Sequence, residues 1–179
     1  MSFIGILTNS KSENILKHLF KEKSETDNIF YLNERNINNV KNIKFETVLI
    51  GKKIANNKEQ IREIAQKAKY LVLNTDEKEN IKIFENVNVN LITYGFNLKS
   101  TVTISSIEEE FVMVCLQRGI ISSKGENIDP QEIELKAKDV YTNMEEAILM
   151  LLYPNLYCND NIKLQWNILC KVLNIEGIH

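Results

Sequence analysis

Histidine occurs only twice in the 179-residue chain, at His18 and His179, and cysteine only three times, at Cys115, Cys158 and Cys170. There is no C-x-x-C pair, and no cysteine lies close to a histidine in sequence. A His/Cys metal site or a Ser-His-Asp triad therefore has very little material to work with. An odd number of widely spaced cysteines also argues against a disulfide framework, so free thiols are expected. No apolar run is long enough for a membrane-spanning helix. Met1-Ser2-Phe3-Ile4-Gly5 enters a strand pattern with no basic segment or cleavage site, so no secretory signal is expected and the expected location is the cytoplasm. Basic excess is missing as well. Twenty-two Lys and Arg face 24 Asp and Glu, giving a net charge of -2 with the signs interspersed. That balance argues against a nucleic-acid partner. What remains is the composition of an ordinary globular protein, 44% hydrophobic and 26% charged.

Two textures follow one another. Up to about residue 99, short apolar runs alternate with helical patterns. The runs cover 3–7, 29–32, 47–50, 70–73 and 90–94, and the helical patterns cover 12–20 and 58–68. In the second pattern Ile61, Ile64, Ala65 and Ala68 recur at the spacing of one helical face. Val48-Leu49-Ile50 and Leu71-Val72-Leu73 are continuous apolar runs, as in strands buried on both faces. The alternation predicts an α/β fold with a parallel sheet flanked by helices. From Ser100 the pattern changes. Residues 101–105, 111–116 and 131–135 read as three strands with no helix between them, which predicts a small antiparallel sheet over 100–137. A helix over 143–153 follows, ended by Pro154, and a domain of 1–153 results. Residues 154–179 read as a helical extension, capped by Asp160, with Ile162, Trp166, Leu169 and Leu173 as an apolar stripe. Cys115 and Cys170 fall in apolar patterns and are expected in the core.

The chemistry concentrates at Gly5-Ile6-Leu7-Thr8-Asn9-Ser10-Lys11-Ser12, between a strand and a helix. The segment follows the phosphate-loop pattern G-x-x-x-x-G-K-[ST], with Ser10 in place of the second glycine. Such loops converge backbone N–H groups on phosphate at a helix N-terminus, and glycine lets the backbone approach closely. Thr8, Asn9, Ser10, Lys11 and Ser12 are thus candidate phosphate-binding residues. The plainer reading is a tight turn in which Asn9 or Ser10 caps the helix. Asn74, Asp76 and Tyr94 fall at strand ends, on the edge where open α/β sheets bind ligands. Asp76, Glu77 and Glu79 could attract magnesium there or form a solvated acidic loop.

Taken together, Thr8-Asn9-Ser10-Lys11-Ser12, Leu73-Asn74-Thr75-Asp76-Glu77, Leu91-Ile92-Thr93-Tyr94-Gly95 and Thr101-Val102-Thr103 resemble, in this order, the central ATPase domain of the Mur ligases. Those enzymes are ATP-dependent amide-bond-forming ligases of peptidoglycan synthesis. The resemblance covers residues 3–153 as a shortened domain and implies that fold, a P-loop or Rossmann-like core. The departures are equally specific. A glycine before Thr8-Asn9 and another before Lys11 are altered. The stretch from Ser12 to Tyr70 is too short for the family's substrate-recognition and catalytic segments. Its metal-binding glutamate, its histidine, the carbamylated lysine of some members and its UDP-binding and amino-acid-binding domains have no counterpart. The resemblance therefore implies a non-catalytic binding or regulatory module with a disabled loop, no catalytic residues and no cofactor. Its partner would be an unidentified protein or small molecule, with cell-wall precursor metabolism as the natural setting. The alternative it leaves open is an ATP-binding ligase subunit, with Lys11 on the phosphates, Ser12 holding magnesium and Asp76 assisting. A third alternative is a structural subunit oligomerising through the C-terminal stripe.

Overall fold

A computed structural model describes residues 3–21 and 28–153. The expected C-terminal helix, with Trp166, Cys158 and Cys170, lies outside the described residues.

The chain runs β1 (Phe3–Leu7), α1 (Ser10–Lys21), β2 (Ile29–Tyr31), β3 (Phe45–Ile50), α2 (Lys58–Gln66), β4 (Tyr70–Asn74), α3 (Lys78–Ile83) and β5 (Asn90–Tyr94). It continues through β6 (Val102–Ile107), β7 (Phe111–Leu116), β8 (Ile120–Ile121), β9 (Asn127–Ile128), β10 (Gln131–Lys136) and α4 (Val140–Leu152). Eight strands form one sheet in the order β10-β7-β6-β5-β4-β3-β1-β2. The pairings from β2 across to β6 are parallel, and β6-β7 and β7-β10 are antiparallel. The fold is α/β, as the alternating pattern predicts.

The three strands expected over 100–137 do not stand apart as their own sheet. They extend the parallel one, because β6 joins β5 through the Tyr94–Val102 pair. The small antiparallel sheet that does exist is the pair β8-β9. A further difference lies after β4. The expected acidic loop gives way at Lys78 to the short helix α3, which takes up Glu79.

Both faces of the sheet are covered, and strand alternation decides what each receives. Along β4, Tyr70 and Val72 face one core and Leu71 and Leu73 the other, so all five residues of the strand are buried. On the first face Leu16 and Phe20 of α1 pack with the apolar residues of α4. Ile61, Ile64 and Ala65 of α2 pack on the second, with Ile37 and Val40 from the β2–β3 connection. Burying one such Leu or Ile side chain is worth about 1.5–3 kcal/mol. Cys115, expected in the core, is only half-buried. It alternates with Val114 and Leu116, which pack in the α4 cluster, and so points to the other side of β7.

Within the parallel part, β1 lies between β2 and β3. The chain leaves β1 in one direction and returns past it in the other. This order creates a topological switch point between the carboxyl ends of β1 and β3, where doubly wound sheets form ligand crevices. At 13 residues, α4 is about 20 Å long, enough to run the length of the five- and six-residue strands it covers. Its N-cap Asp139 meets Lys11 just past the end of β1, and Tyr153, just past its last turn, hydrogen-bonds Thr47 near the start of β3 at 2.6 Å. Among the described residues no helix is long and apolar enough to cross a membrane.

Candidate functional site

The turn after β1 is short. Only Thr8 and Asn9 separate the strand from α1, which begins at Ser10, two residues earlier than the pattern predicts. Gly5 lies within β1, paired with Phe30 and Val48, so the G-x-x-x-x-S-K-S span is strand, turn and helix rather than an open loop. Among the described non-glycine residues only Asn57 and Asn86 have positive φ, so Ser10 takes no left-handed conformation. Asn9 caps the helix, its Oδ1 accepting from Ser12 N at 2.9 Å.

Thr8, Lys11 and Ser12 each meet α4 or its cap. Ser12 is fully buried and its hydroxyl lies 2.8 Å from that of Thr142. Lys11 Nζ donates to Asp139 Oδ2 at 3.0 Å, while the lysine side chain stays 67% exposed. Burial pushes Asp139 up, but the hydrogen bonds from Lys11 and Thr142 outweigh it and hold the carboxyl below its ordinary value. Ser10 is exposed.

Thr8 points inward. Its hydroxyl donates to Glu145 Oε1 at 3.0 Å, and the Tyr94 hydroxyl donates to the same oxygen at 2.6 Å. Glu145 is fully buried and its Oε2 has no partner among the described residues. Burial raises its pKa to about 7, with the Tyr94 and Thr8 hydrogen bonds opposing the rise and the charge of Asp139 adding to it. Tyr94 is raised well above its ordinary value by burial and by Glu145. The cluster closes against Gly51 at the end of β3. A Cβ there would lie 2.2 Å from Glu145 Oε1 and 2.6 Å from Thr8 Oγ1. Only glycine admits the carboxylate at this spot.

Asn74 is the last residue of β4, and Asp76 follows it by two residues. Asn74 is buried, its Oδ1 accepting from Asp76 N at 3.0 Å. Asp76 Oδ2 accepts from Phe96 N at 3.0 Å and from the Tyr141 hydroxyl at 3.1 Å. It braces the turn at Gly95, where φ is 143° and an added Cβ would meet the Asp76 carboxylate at 2.8 Å. The ring of Phe96 meets that of Tyr141 edge-on at 5.6 Å.

The structure thus gathers Thr8, Ser12, Asn74, Asp76 and Tyr94 along one sheet edge, with Lys11 at its rim. Thr8 and Tyr94 share a partner, while Lys11 and Ser12 turn to a different part of α4. Sequence reasoning missed Gly51, Asp139, Tyr141, Thr142 and Glu145. The signal for Glu145 is an acid on the same helical face as Leu149 and Leu152 in an apolar segment, which a surface helix would not place there. Among the described residues no group of three His, Cys, Asp or Glu side chains could hold a metal ion. A comparison with protein families and with curated proteins finds no match to this chain.

Proposed function

We propose that this chain is a non-catalytic binding or regulatory module built on a shortened Mur-ligase-like central domain, with its phosphate loop closed by its own last described helix. The observation that carries this reading is the burial of Ser12. A hydroxyl that is to hold magnesium must reach solvent-borne ligand, and this one is enclosed and hydrogen-bonded to Thr142. The carboxylate of Asp139 meets Lys11 where a phosphate would. The ancestry itself rests on the ordered motifs, and cell-wall precursor metabolism remains its proposed setting. A protein or small-molecule partner would meet the exposed part of the same edge, where Phe96 and Leu98 are 49% and 80% exposed.

The geometry also changes which residue blocks the loop. Ser10 is exposed, outside the left-handed region, and at the start of α1, so a glycine there would open nothing. The test is calorimetric titration of magnesium-ATP into the wild type, Ser10→Gly and Lys11→Ala. The reading expects no Lys11-dependent binding in the wild type and no gain in Ser10→Gly. Micromolar binding that Lys11→Ala abolishes would overturn it in favour of an ATP-using ligase subunit.

A further inference from the structure

The two halves of α4 are held in different ways. From Ala147 onward its buried side chains are apolar: Ala147, Ile148, Leu149, Leu151 and Leu152. They belong to the first core, and Ser123 N donates to the Leu152 carbonyl at 3.0 Å. Before Ala147, Met144 is the only buried apolar side chain of the helix. Polar contacts tether this half to the sheet edge instead. Asp139 meets Lys11, Tyr141 meets Asp76, Thr142 meets Ser12, and Glu145 meets Thr8 and Tyr94.

The two oxygens of buried Glu145 are unequal. Oε1 accepts from Thr8 and Tyr94, and Oε2 has no partner among the described residues. Nor does any described lysine or arginine form an ion pair with it. The groups around it are neutral or already paired. β5 contributes the Tyr94 hydroxyl, the turn after β1 contributes Thr8, and β3 ends against the carboxyl in Gly51. On α1, Lys11 turns to Asp139, Ser12 to Thr142, and Glu13 to Lys17. Asp76, followed by Glu77, holds the Tyr141 hydroxyl, and Glu146 pairs with Lys138. β6, β7 and β10 bring apolar Val102, Val114 and Ile133 to this core, while Glu132, Glu134 and Lys136 of β10 are exposed. The charge that acts on Glu145 is that of Asp139, which has the same sign. A neutral carboxyl fits this place at the loss of one hydrogen bond. A carboxylate would leave a charged oxygen with neither donor nor counter-ion, a state that water would relieve. Glu145 is enclosed, so water reaches it only when this half of α4 lifts.

We propose that residues 139–146 form a proton-held latch over the carboxyl ends of β1 and β3, closed while Glu145 carries its proton and opening more often once that proton is lost. The proposal rests on the reading that α4 closes the β1–α1 turn, and it adds what regulates that closure. The test is native-state hydrogen exchange of the full chain, without ligand, in low urea, at about pH 6 and about pH 8. Amides 143–146 should exchange through an opening that costs less and responds less to urea than the opening that exposes amides 149–152. Corrected for the intrinsic exchange rate at each pH, the population of that opening should rise about tenfold between the two conditions. That ratio belongs to a group that titrates at about 7 when closed and at its ordinary 4.5 when open. Glu145→Gln, and Glu145→Met as its apolar counterpart, should remove the rise. His18→Gln should keep it, although histidine ordinarily titrates in this range, because His18 is exposed on α1. The latch is overturned if both groups of amides open together with equal urea response, or if the wild type shows no rise. It is equally overturned if the rise survives in whichever Glu145 variant folds, or if His18→Gln removes it. No nucleotide is present, so such a failure strikes the latch and not the closed turn, which the magnesium-ATP titration decides.

Discussion

The hydroxyl of Tyr94 donates to Glu145 Oε1 across 2.6 Å, joining the end of β5 to the middle of α4 in the protein interior. The carboxyl so held keeps its proton to about pH 7, against an ordinary 4.5, chiefly because it is buried. The folded protein therefore binds more protons than the unfolded chain between these two values. Stability should be highest below about 4.5, fall as pH rises to about 7, and then level off, by up to about 3 kcal/mol from this group. Urea unfolding at about pH 5 and about pH 8 reads this directly, and Glu145→Gln should flatten the difference. Equal slopes in wild type and variant would exclude Glu145 as the source.

Gly51 is the second test of the same cluster. A Cβ there meets Glu145, Thr8 and Tyr94 oxygens at 2.2, 2.6 and 2.8 Å. Gly51→Ala should cost about 1–3 kcal/mol through overcrowding. In a Glu145→Ala background the crowded oxygen is gone, so the cost should shrink and the two changes should not add. Additive unfolding free energies would contradict the contact.

Besides the Thr8–Glu145 hydrogen bond, two links hold the β1–α1 segment to α4, and burial separates their strengths. The Ser12–Thr142 hydrogen bond is buried, and a double-mutant cycle with Ser12→Ala and Thr142→Ala should give a coupling near 1 kcal/mol. In the Lys11–Asp139 pair the lysine is 67% exposed, so its coupling should stay below about 1 kcal/mol and fade with added salt. Chemical denaturation at low and high salt measures both.

Much of this was legible in the chain. The continuous run Leu71-Val72-Leu73 reads as a doubly covered strand and is one, and the Ile61, Ile64, Ala65 spacing finds the buried stripe of α2. Alternation over 100–137 finds the strands but says nothing of their neighbours, because a strand's period is the same in a separate sheet or an extended one. The link rests on one parallel pair, Tyr94–Val102. Six-residue α3 is too short to show a helical period. At the site, Thr8, Asp76 and Tyr94 could be placed from strand ends. Glu145 could not, since acids are ordinarily assigned to water and its burial depends on partners 137 and 51 residues away.

The central claim is that α4 closes the loop that would otherwise hold nucleotide. Its most direct measurement is the amide resonances of residues 8–12 in the wild type as magnesium-ATP is added. The account predicts that these amides stay in place. Saturable shifts at residues 8–12 that Lys11→Ala abolishes would contradict it.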